Sequence, residues 1–386
     1  MASSYDCKQA VILVGGEGTR LRPITSLVPK PIVPVVERPF AGYILDNLSR
    51  HGVERVVFSS GFLAGAIEAE LGDGSDYGLD IQYVVEDEPL GTAGAIKNVE
   101  SVLLPGSFYV FNGDVLSDVD LTALATQHRQ SHAMTTIFLT PVDDPRRYGL
   151  VELRPDGSVA NFLEKPDSDH VGPALINAGV YVLEHDVLEM IPPGRMFSIE
   201  RGVFPELAQV GSLYGYVETG YWRDIGTPES YLQAHFDILD HAVRTNVGEI
   251  MGDSYMYVAA SARVDDSARV VPPCYIGEGA VIGAGARVGS QTVIGAGAEI
   301  SEGAVVSESV LQAGVCIGAH CLIERSVVVR DTIVGSGTQL NEAIIGAGCN
   351  IGAGNELAKG ISLFSGVELP DDSVKFREVN ARNEGR

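Results

Sequence analysis

From Gln9 to about Thr245 the chain alternates short apolar runs with segments whose apolar residues recur at helical spacing. Gln9-Ala10-Val11-Ile12-Leu13-Val14, Val53-Glu54-Arg55-Val56-Val57-Phe58, Ile81-Gln82-Tyr83-Val84-Val85 and Phe108-Tyr109-Val110-Phe111 read as strands. Residues 40–51 and 64–71 between them read as amphipathic helices. Strand–helix alternation of this kind predicts an α/β domain: a Rossmann-like, mostly parallel sheet with helices on both faces. Ligands of such sheets sit beyond the carboxyl ends of the strands, where 15–18, 86–94 and Asn112-Gly113-Asp114 fall. A closing helix is expected over 230–242, and 244–253 carries the chain onward.

After about Gly252 the pattern changes. Val258, Val264, Val270, Ile276, Ile282, Val288, Ile294, Ile300 and Val306 recur every six residues, with Gly, Ala and Ser filling most places between. The spacing resumes at Leu311, Ile317 and Ile323, at Val328, Val334 and Leu340, and from Ile345 to Leu369. Such hexapeptide repeats build a β-solenoid in which each aliphatic side chain points into a narrow core. Interruptions near 307–310, Arg325 and Asn341 predict shortened rungs or loop adjustments. The expected organisation is a domain over 1–245, a solenoid over 252–370 and a charged, aperiodic tail over 371–386.

Composition narrows the function classes. The 386 residues are 45% hydrophobic, enough for a large core, yet no apolar run of about eighteen residues suggests a membrane span. The first eight residues are polar and lack a signal-peptide core. Cys7, Cys274, Cys316, Cys321 and Cys349 are odd in number and not spaced as zinc pairs, the pattern of a reduced, cytoplasmic protein. A formal net charge of −24 argues against nucleic acid. It also means that any anionic substrate must be met by locally concentrated cations and a recruited metal.

The string GGEGTRLRPITSLVPKP at 15–31 follows the first strand directly. Gly15, Gly16 and Gly18 leave backbone N–H groups free to close around an anion, and Thr19, Arg20 and Lys30 lie on the same excursion. Neither the G-x-x-x-x-G-K-[ST] nor the G-x-G-x-x-G pattern fits. A polyphosphate site is expected. Asp114, immediately after a strand, is placed as a Mg²⁺ ligand would be, because that hard cation prefers oxygen. Lys165, in Phe162-Leu163-Glu164-Lys165-Pro166, is a compact point charge suited to a phosphate monoester.

The 15–31 string closely resembles the signature of the sugar-1-phosphate nucleotidylyltransferases. The resemblance implies that Gly15, Gly16, Gly18, Thr19, Arg20 and Lys30 wrap the triphosphate of an incoming NTP. It makes Asp224, in Tyr221-Trp222-Arg223-Asp224-Ile225-Gly226, the second metal ligand beside Asp114. It assigns Lys165 to the sugar phosphate and Glu164, Asn177, Gly149 and Asn112 to the sugar. Arg20, Lys30, Asp114, Lys165 and Asp224 become the catalytic set, with Mg²⁺ as cofactor. The hexapeptide repeat resembles a left-handed parallel β-helix, and that likeness alone supplies the hand.

Glu86-Asp87-Glu88-Pro89-Leu90-Gly91-Thr92-Ala93-Gly94 matches the family's base-recognition loop, placing Glu86, Gly91 and Thr92 against the nucleotide. An ionised carboxylate only accepts hydrogen bonds. Guanine offers two adjacent donors, whereas thymine and uracil flank one N–H with carbonyls, so Glu86 suits guanine. The L-G-T-A-G wording, Phe197-Ser198-Ile199-Glu200 and the hexapeptide domain most resemble mannose-1-phosphate guanylyltransferases. The expected partners are GTP, or another NTP, and a hexose 1-phosphate, with the solenoid serving assembly of a homo-oligomer or regulation. Thymidylyl or uridylyl transfer to glucose 1-phosphate, an acyltransferase using His320, and a non-catalytic regulatory subunit are the alternatives.

Overall fold

The computed structural model describes residues 7–16, 18–61, 63–164 and 172–375. By compactness the chain divides into two units: Met1–Glu17, Pro29–Ile32 and Pro39–Ile225 form one, and Gly18–Val28, Val33–Arg38 and Gly226–Arg386 the other.

In the first unit, β1 (Gln9–Val14) is followed by α1 (Phe40–Arg50), β2 (Arg55–Ser60), α2 (Ala64–Leu71), β3 (Asp80–Val85), α3 (Gly91–Asn98) and β4 (Phe108–Asn112). There follow β5 (Val115–Ser117), α4 (Leu121–Ser131), β6 (Thr135–Val142), β7 (Gly149–Leu153), β8 (Val159–Glu164), β9 (Ala174–Leu183), α5 (Phe204–Gln209), β10 (Leu213–Val217) and β11 (Trp222–Asp224). The main sheet runs β8-β7-β9-β4-β1-β2-β3, with β6 joined to β9 and β10. Strands β4-β1-β2-β3 are parallel, the Rossmann-like half. Beyond β4, β9 runs antiparallel to its neighbours and β7–β8 form an antiparallel hairpin.

Alternation along the parallel strands explains why helices cover both faces. Ala10, Ile12, Val56, Phe58, Tyr109 and Phe111 pack with Ile44, Leu45 and Leu48 of α1, Ile67 of α2 and Leu124 of α4. Their neighbours Val11, Val57, Phe108 and Val110 pack on the opposite side with Ala93 and Ile96 of α3 and Phe204 and Leu207 of α5. Side chains two residues apart share a face, so continuous apolar strands demand cover on both. Helix starts are marked locally: Asp120 accepts a hydrogen bond from the Ala123 N–H at the head of α4.

In the second unit, α6 (Pro228–Leu239) opens with a Thr227/Ser230 capping box, and α7 (Asn246–Met251) leads into the solenoid. The solenoid strands stack into parallel sheets of seven, seven and six. Val258, Ile276 and Ile294 align at 18-residue intervals, three hexapeptides per coil. From Ile294 through Leu311, Val328 and Ile345 the interval is 17. The interruptions visible in sequence are therefore coils one residue shorter at one corner. Glu308, Arg325 and Glu342 turn that corner with φ of 46°, 47° and 51°. Arg325 there bridges to Glu308 at 3.2 Å and Glu342 at 3.6 Å.

Candidate active site

The carboxyl ends of β1, β3 and β4 carry the groups named from sequence, and short-range pairing determines which of them meet. β11 pairs antiparallel with β5 so that Asp224 faces Val115, the residue after Asp114, and Ile225 N donates to Asp114 O at 3.0 Å. This ladder sets two carboxylates that are far apart in sequence next to each other. Lys30 lies between them: its Nζ is 3.1 Å from Asp114 Oδ2 and 3.9 Å from Asp224 Oδ1. The Lys30 side chain is only 11% exposed, so its charge is held in place by this pair.

A second group gathers around the β7–β8 hairpin and β9. Gly149 pairs with Glu164, and a Cβ at Gly149 would lie 3.0 Å from Glu164 Oε2 and 3.5 Å from Asn177 Cβ. Asn177 Nδ2 donates to the Tyr181 hydroxyl at 3.0 Å, and its Oδ1 accepts from Gly179 N at 3.0 Å, across an irregularity in β9 between Asn177 and Tyr181. Asn112 also hydrogen-bonds Tyr181, whose hydroxyl pKa is pushed well above its usual value by complete burial. Tyr181 thus ties Asn112, two residues before Asp114, to Asn177. Sequence reading missed it, because nothing in an apolar strand marks one tyrosine as a hub. Trp222 is a second omission: its Nε1 donates to Ala178 O at 2.8 Å and its ring meets Tyr148 edge-on.

Glu86 anchors a third group. It is 7% exposed; Ser59 Oγ lies 3.0 Å from its Oε1 and Leu90 N donates to its Oε2 at 3.1 Å. A Cβ on Gly15 would stand 3.8 Å from the same carboxylate, so the glycine loop passes over it. Gly91 opens α3 with φ 68°. The Thr92 hydroxyl is engaged inside the protein, donating to Glu200 Oε2 at 2.7 Å and accepting from Ile199 N at 2.9 Å. Gly16 has open space around it.

Gly18, Thr19 and Arg20 belong to the second unit. Gly18 has φ 60° and its carbonyl accepts from Thr25 Oγ1 at 2.8 Å; Thr19 and Arg20 begin a short 3₁₀ turn, Thr19–Leu21. Lys165 lies outside the described residues.

The donor set suits a hard divalent cation. Among the described residues no three acidic, histidine or cysteine side chains form a cage. Asp114 and Asp224 nevertheless offer two carboxylates already converging on one cation, which matches Mg²⁺, an ion that uses one or two protein carboxylates and completes its shell with water and phosphate. The arrangement can hold phosphate charge at the Lys30 ammonium, with a divalent cation on Asp114 and Asp224, and seat a polyhydroxylated ligand beside Glu164 and Asn177.

Residues 9–241 match the family model described as nucleotidyl transferase. The chain belongs to the nucleotidyl transferase family. Residues 272–374 match the left-handed β-helix domain of the EIF2B epsilon subunit, which gives the solenoid its hand. A mannose-1-phosphate guanylyltransferase of Mycobacterium tuberculosis is 39% identical over 377 residues, spanning 95% of this chain and 97% of that protein. A UTP–glucose-1-phosphate uridylyltransferase of Synechocystis is 32% identical over 313 residues, 71% of this chain and 81% of its own length. The crystal structure of HddC from Yersinia pseudotuberculosis complexed with GMP-PN aligns with a TM-score of 0.52 at 32% identity, covering 59% of this chain and 97% of HddC. In this nucleotidyl transferase no helix among the described residues is long and apolar enough to cross a membrane.

Proposed function

We propose that the protein is a sugar-1-phosphate nucleotidylyltransferase that joins GTP and mannose 1-phosphate to give GDP-mannose and pyrophosphate. A phosphate oxygen of the sugar phosphate attacks the α-phosphorus of the nucleotide, and the bond to the β-phosphate oxygen breaks as pyrophosphate leaves. No protein nucleophile is needed, so positioning and charge stabilisation supply the rate. The observation that carries this reading is the Lys30 ammonium held between Asp114 and Asp224 at the strand ends.

Asp114 and Asp224 would hold Mg²⁺, which when bound neutralises phosphate charge. Lys30 keeps a fixed positive charge at that edge. Glu164 and Asn177 orient the sugar hydroxyls, Asn112 and Gly149 complete that pocket, and Lys165 receives the sugar phosphate. Gly15, Gly16, Gly18, Thr19 and Arg20 wrap the triphosphate, while Glu86, with Gly91 and Thr92 in its loop, faces the base. The full-length likeness to a mannose-1-phosphate guanylyltransferase supports the choice of substrates. The family matches support taking 1–245 as the catalytic domain and 252–370 as the solenoid, followed by the tail. Five free thiols fit a cytoplasmic setting, and the solenoid fits a homo-oligomer.

The test is pyrophosphate release, with Mg²⁺, across GTP, ATP, UTP and dTTP against mannose, glucose and N-acetylglucosamine 1-phosphates. GTP with mannose 1-phosphate should be the preferred pair. Asp114→Ala and Asp224→Ala should each lower kcat at least about 100-fold, the scale of losing a principal charge stabiliser. Lys165→Ala should chiefly raise KM for the sugar phosphate. Near-wild-type rates in all three variants would overturn the site. Preference for UTP and glucose 1-phosphate would favour the second reading, which the Synechocystis relative supports.

A further inference from the structure

The first turn of α3 has its backbone donors taken up by a segment distant in sequence. Ala93 N and Gly94 N donate to Phe197 O at 3.0 and 3.2 Å, and Phe197 N returns a bond to Leu90 O at 2.8 Å. The fit is close: a Cβ on Gly91 would come within 2.9 Å of Phe197 O, and one on Gly94 within 2.6 Å of Arg195 O. The side-chain part of this attachment converges on one carboxylate oxygen. Glu200 Oε2 accepts from Thr92 Oγ1 and from Ser198 Oγ, each at 2.7 Å, and Thr92 Oγ1 in turn accepts from Ile199 N. The chain of contacts ends on the base-facing carboxylate, because the Leu90 peptide that receives Phe197 N on its carbonyl donates its own N–H to Glu86 Oε2.

We propose that Glu200 and Ser198 are positioning residues for nucleotide selection. They clamp segment 197–200 on α3, and through Leu90 they hold Glu86 in the orientation that chooses the base. The proposal rests on the reading of Glu86 as the group that faces the base. It assigns no contact between Glu200 and either substrate. Both accepted bonds fall on one oxygen, so a neutral amide with its carbonyl oxygen in that place can replace the carboxylate. The clamp therefore needs the acceptor and not the charge. A residue acting on a sugar hydroxyl or a metal through its charge would behave in the opposite way.

The experiment compares Glu200→Ala, Glu200→Gln and Ser198→Ala with the wild type, by steady-state kinetics and by calorimetric titration of GTP and UTP with Mg²⁺. Glu200→Ala should raise KM and Kd for the preferred nucleotide about 10-fold and lower its discrimination against the other about as much. Its kcat should stay within about 3-fold and KM for the sugar phosphate should not move. Glu200→Gln should stay within about 3-fold of wild type in every constant. If Glu200→Ala does not fold, Ser198→Ala, which removes one of the two bonds, carries the test with an expected loss of discrimination of about 3-fold. Glu200→Gln as impaired as Glu200→Ala, a shift in sugar-phosphate KM, or unchanged nucleotide discrimination would each overturn the clamp. A wild type that prefers UTP would instead refute the guanine reading, and the clamp would still be tested by whether that preference loosens.

Discussion

Glu86 is buried with both carboxylate oxygens already engaged, yet each oxygen retains a further acceptor site. A structural role and a base-reading role are therefore compatible, and Glu86→Gln separates them. The amide can accept from Leu90 N with its oxygen and turn its NH₂ toward Ser59. Ser59 can accept there, because its own hydrogen has a second acceptor in Ala95 O at 3.2 Å. The loop should survive while the face offered to the base changes from two acceptors to one acceptor and one donor. The ratio of kcat/KM for GTP to that for UTP should fall at least about 10-fold, the scale of one mismatched polar contact. An unchanged ratio would leave Glu86 with only its structural duty. Lys30 shows the same economy: one ammonium offsets part of the charge of the two carboxylates that are also proposed to take the metal, leaving one negative charge for the cation to meet.

Among the elements, the solenoid shows most clearly which sequence signals survive into structure. Its inward residues were legible because a large aliphatic side chain returns to the core at every sixth residue, as Ile276, Ile282 and Val288 do, with smaller residues such as Ala280 and Ala286 buried beside them. The one-residue deficit at Glu308, Arg325 and Glu342 was visible only as an interruption, since non-glycine residues at positive φ carry no reliable sequence mark. In the first unit, the strands Ala10–Ile12 and Val56–Phe58 could be read from apolar runs. The pairing of β11 on β5 and the irregularity between Asn177 and Tyr181 could not, because both depend on contacts between distant segments. The solenoid glycines divide by cause. A Cβ on Gly335 would sit 2.4 Å from Ala353 N in the next coil, whereas Gly337 has φ 70° and open space. Gly337→Ala should cost about 1–2 kcal/mol for the left-handed backbone. Gly335→Ala should cost about 3 kcal/mol, because the obstacle is backbone that cannot step aside. Urea unfolding of the two variants checks this, and equal losses would count against the close-approach argument.

For the whole molecule, acid response follows from two buried imidazoles, one in each unit. His128 is fully buried, with Nδ1 2.8 Å from Thr136 Oγ1 and Nε2 3.0 Å from Glu184 Oε1; burial lowers its pKa, partly offset by Glu184. His235 is 1% exposed, donates from Nδ1 to Tyr231 O at 2.9 Å, and is pushed down from 6.5 to about 4 by burial. An unfolded chain binds a proton at each histidine near pH 6.5, whereas the folded chain resists until the lower pKa is reached. Stability is therefore full above about pH 6.5 and declines as pH falls, levelling off below the folded pKa. For His235 the loss is about 2 kcal/mol at pH 5 and approaches about 3 kcal/mol below pH 4. The net charge of −24 works the other way, since protonating carboxylates relieves self-repulsion. Ordinary carboxylates titrate near pH 4, so between pH 7 and 5 the histidine effect has the larger slope. His235→Asn, which keeps a donor for the Tyr231 carbonyl, should lower stability at pH 7 and flatten the decline. Denaturant unfolding of both proteins at pH 7 and pH 5 reads this as a stability gap that narrows by about 2 kcal/mol on acidification. A gap of the same size at both pH values would mean that His235 takes up its proton as readily in the folded chain as in the unfolded one.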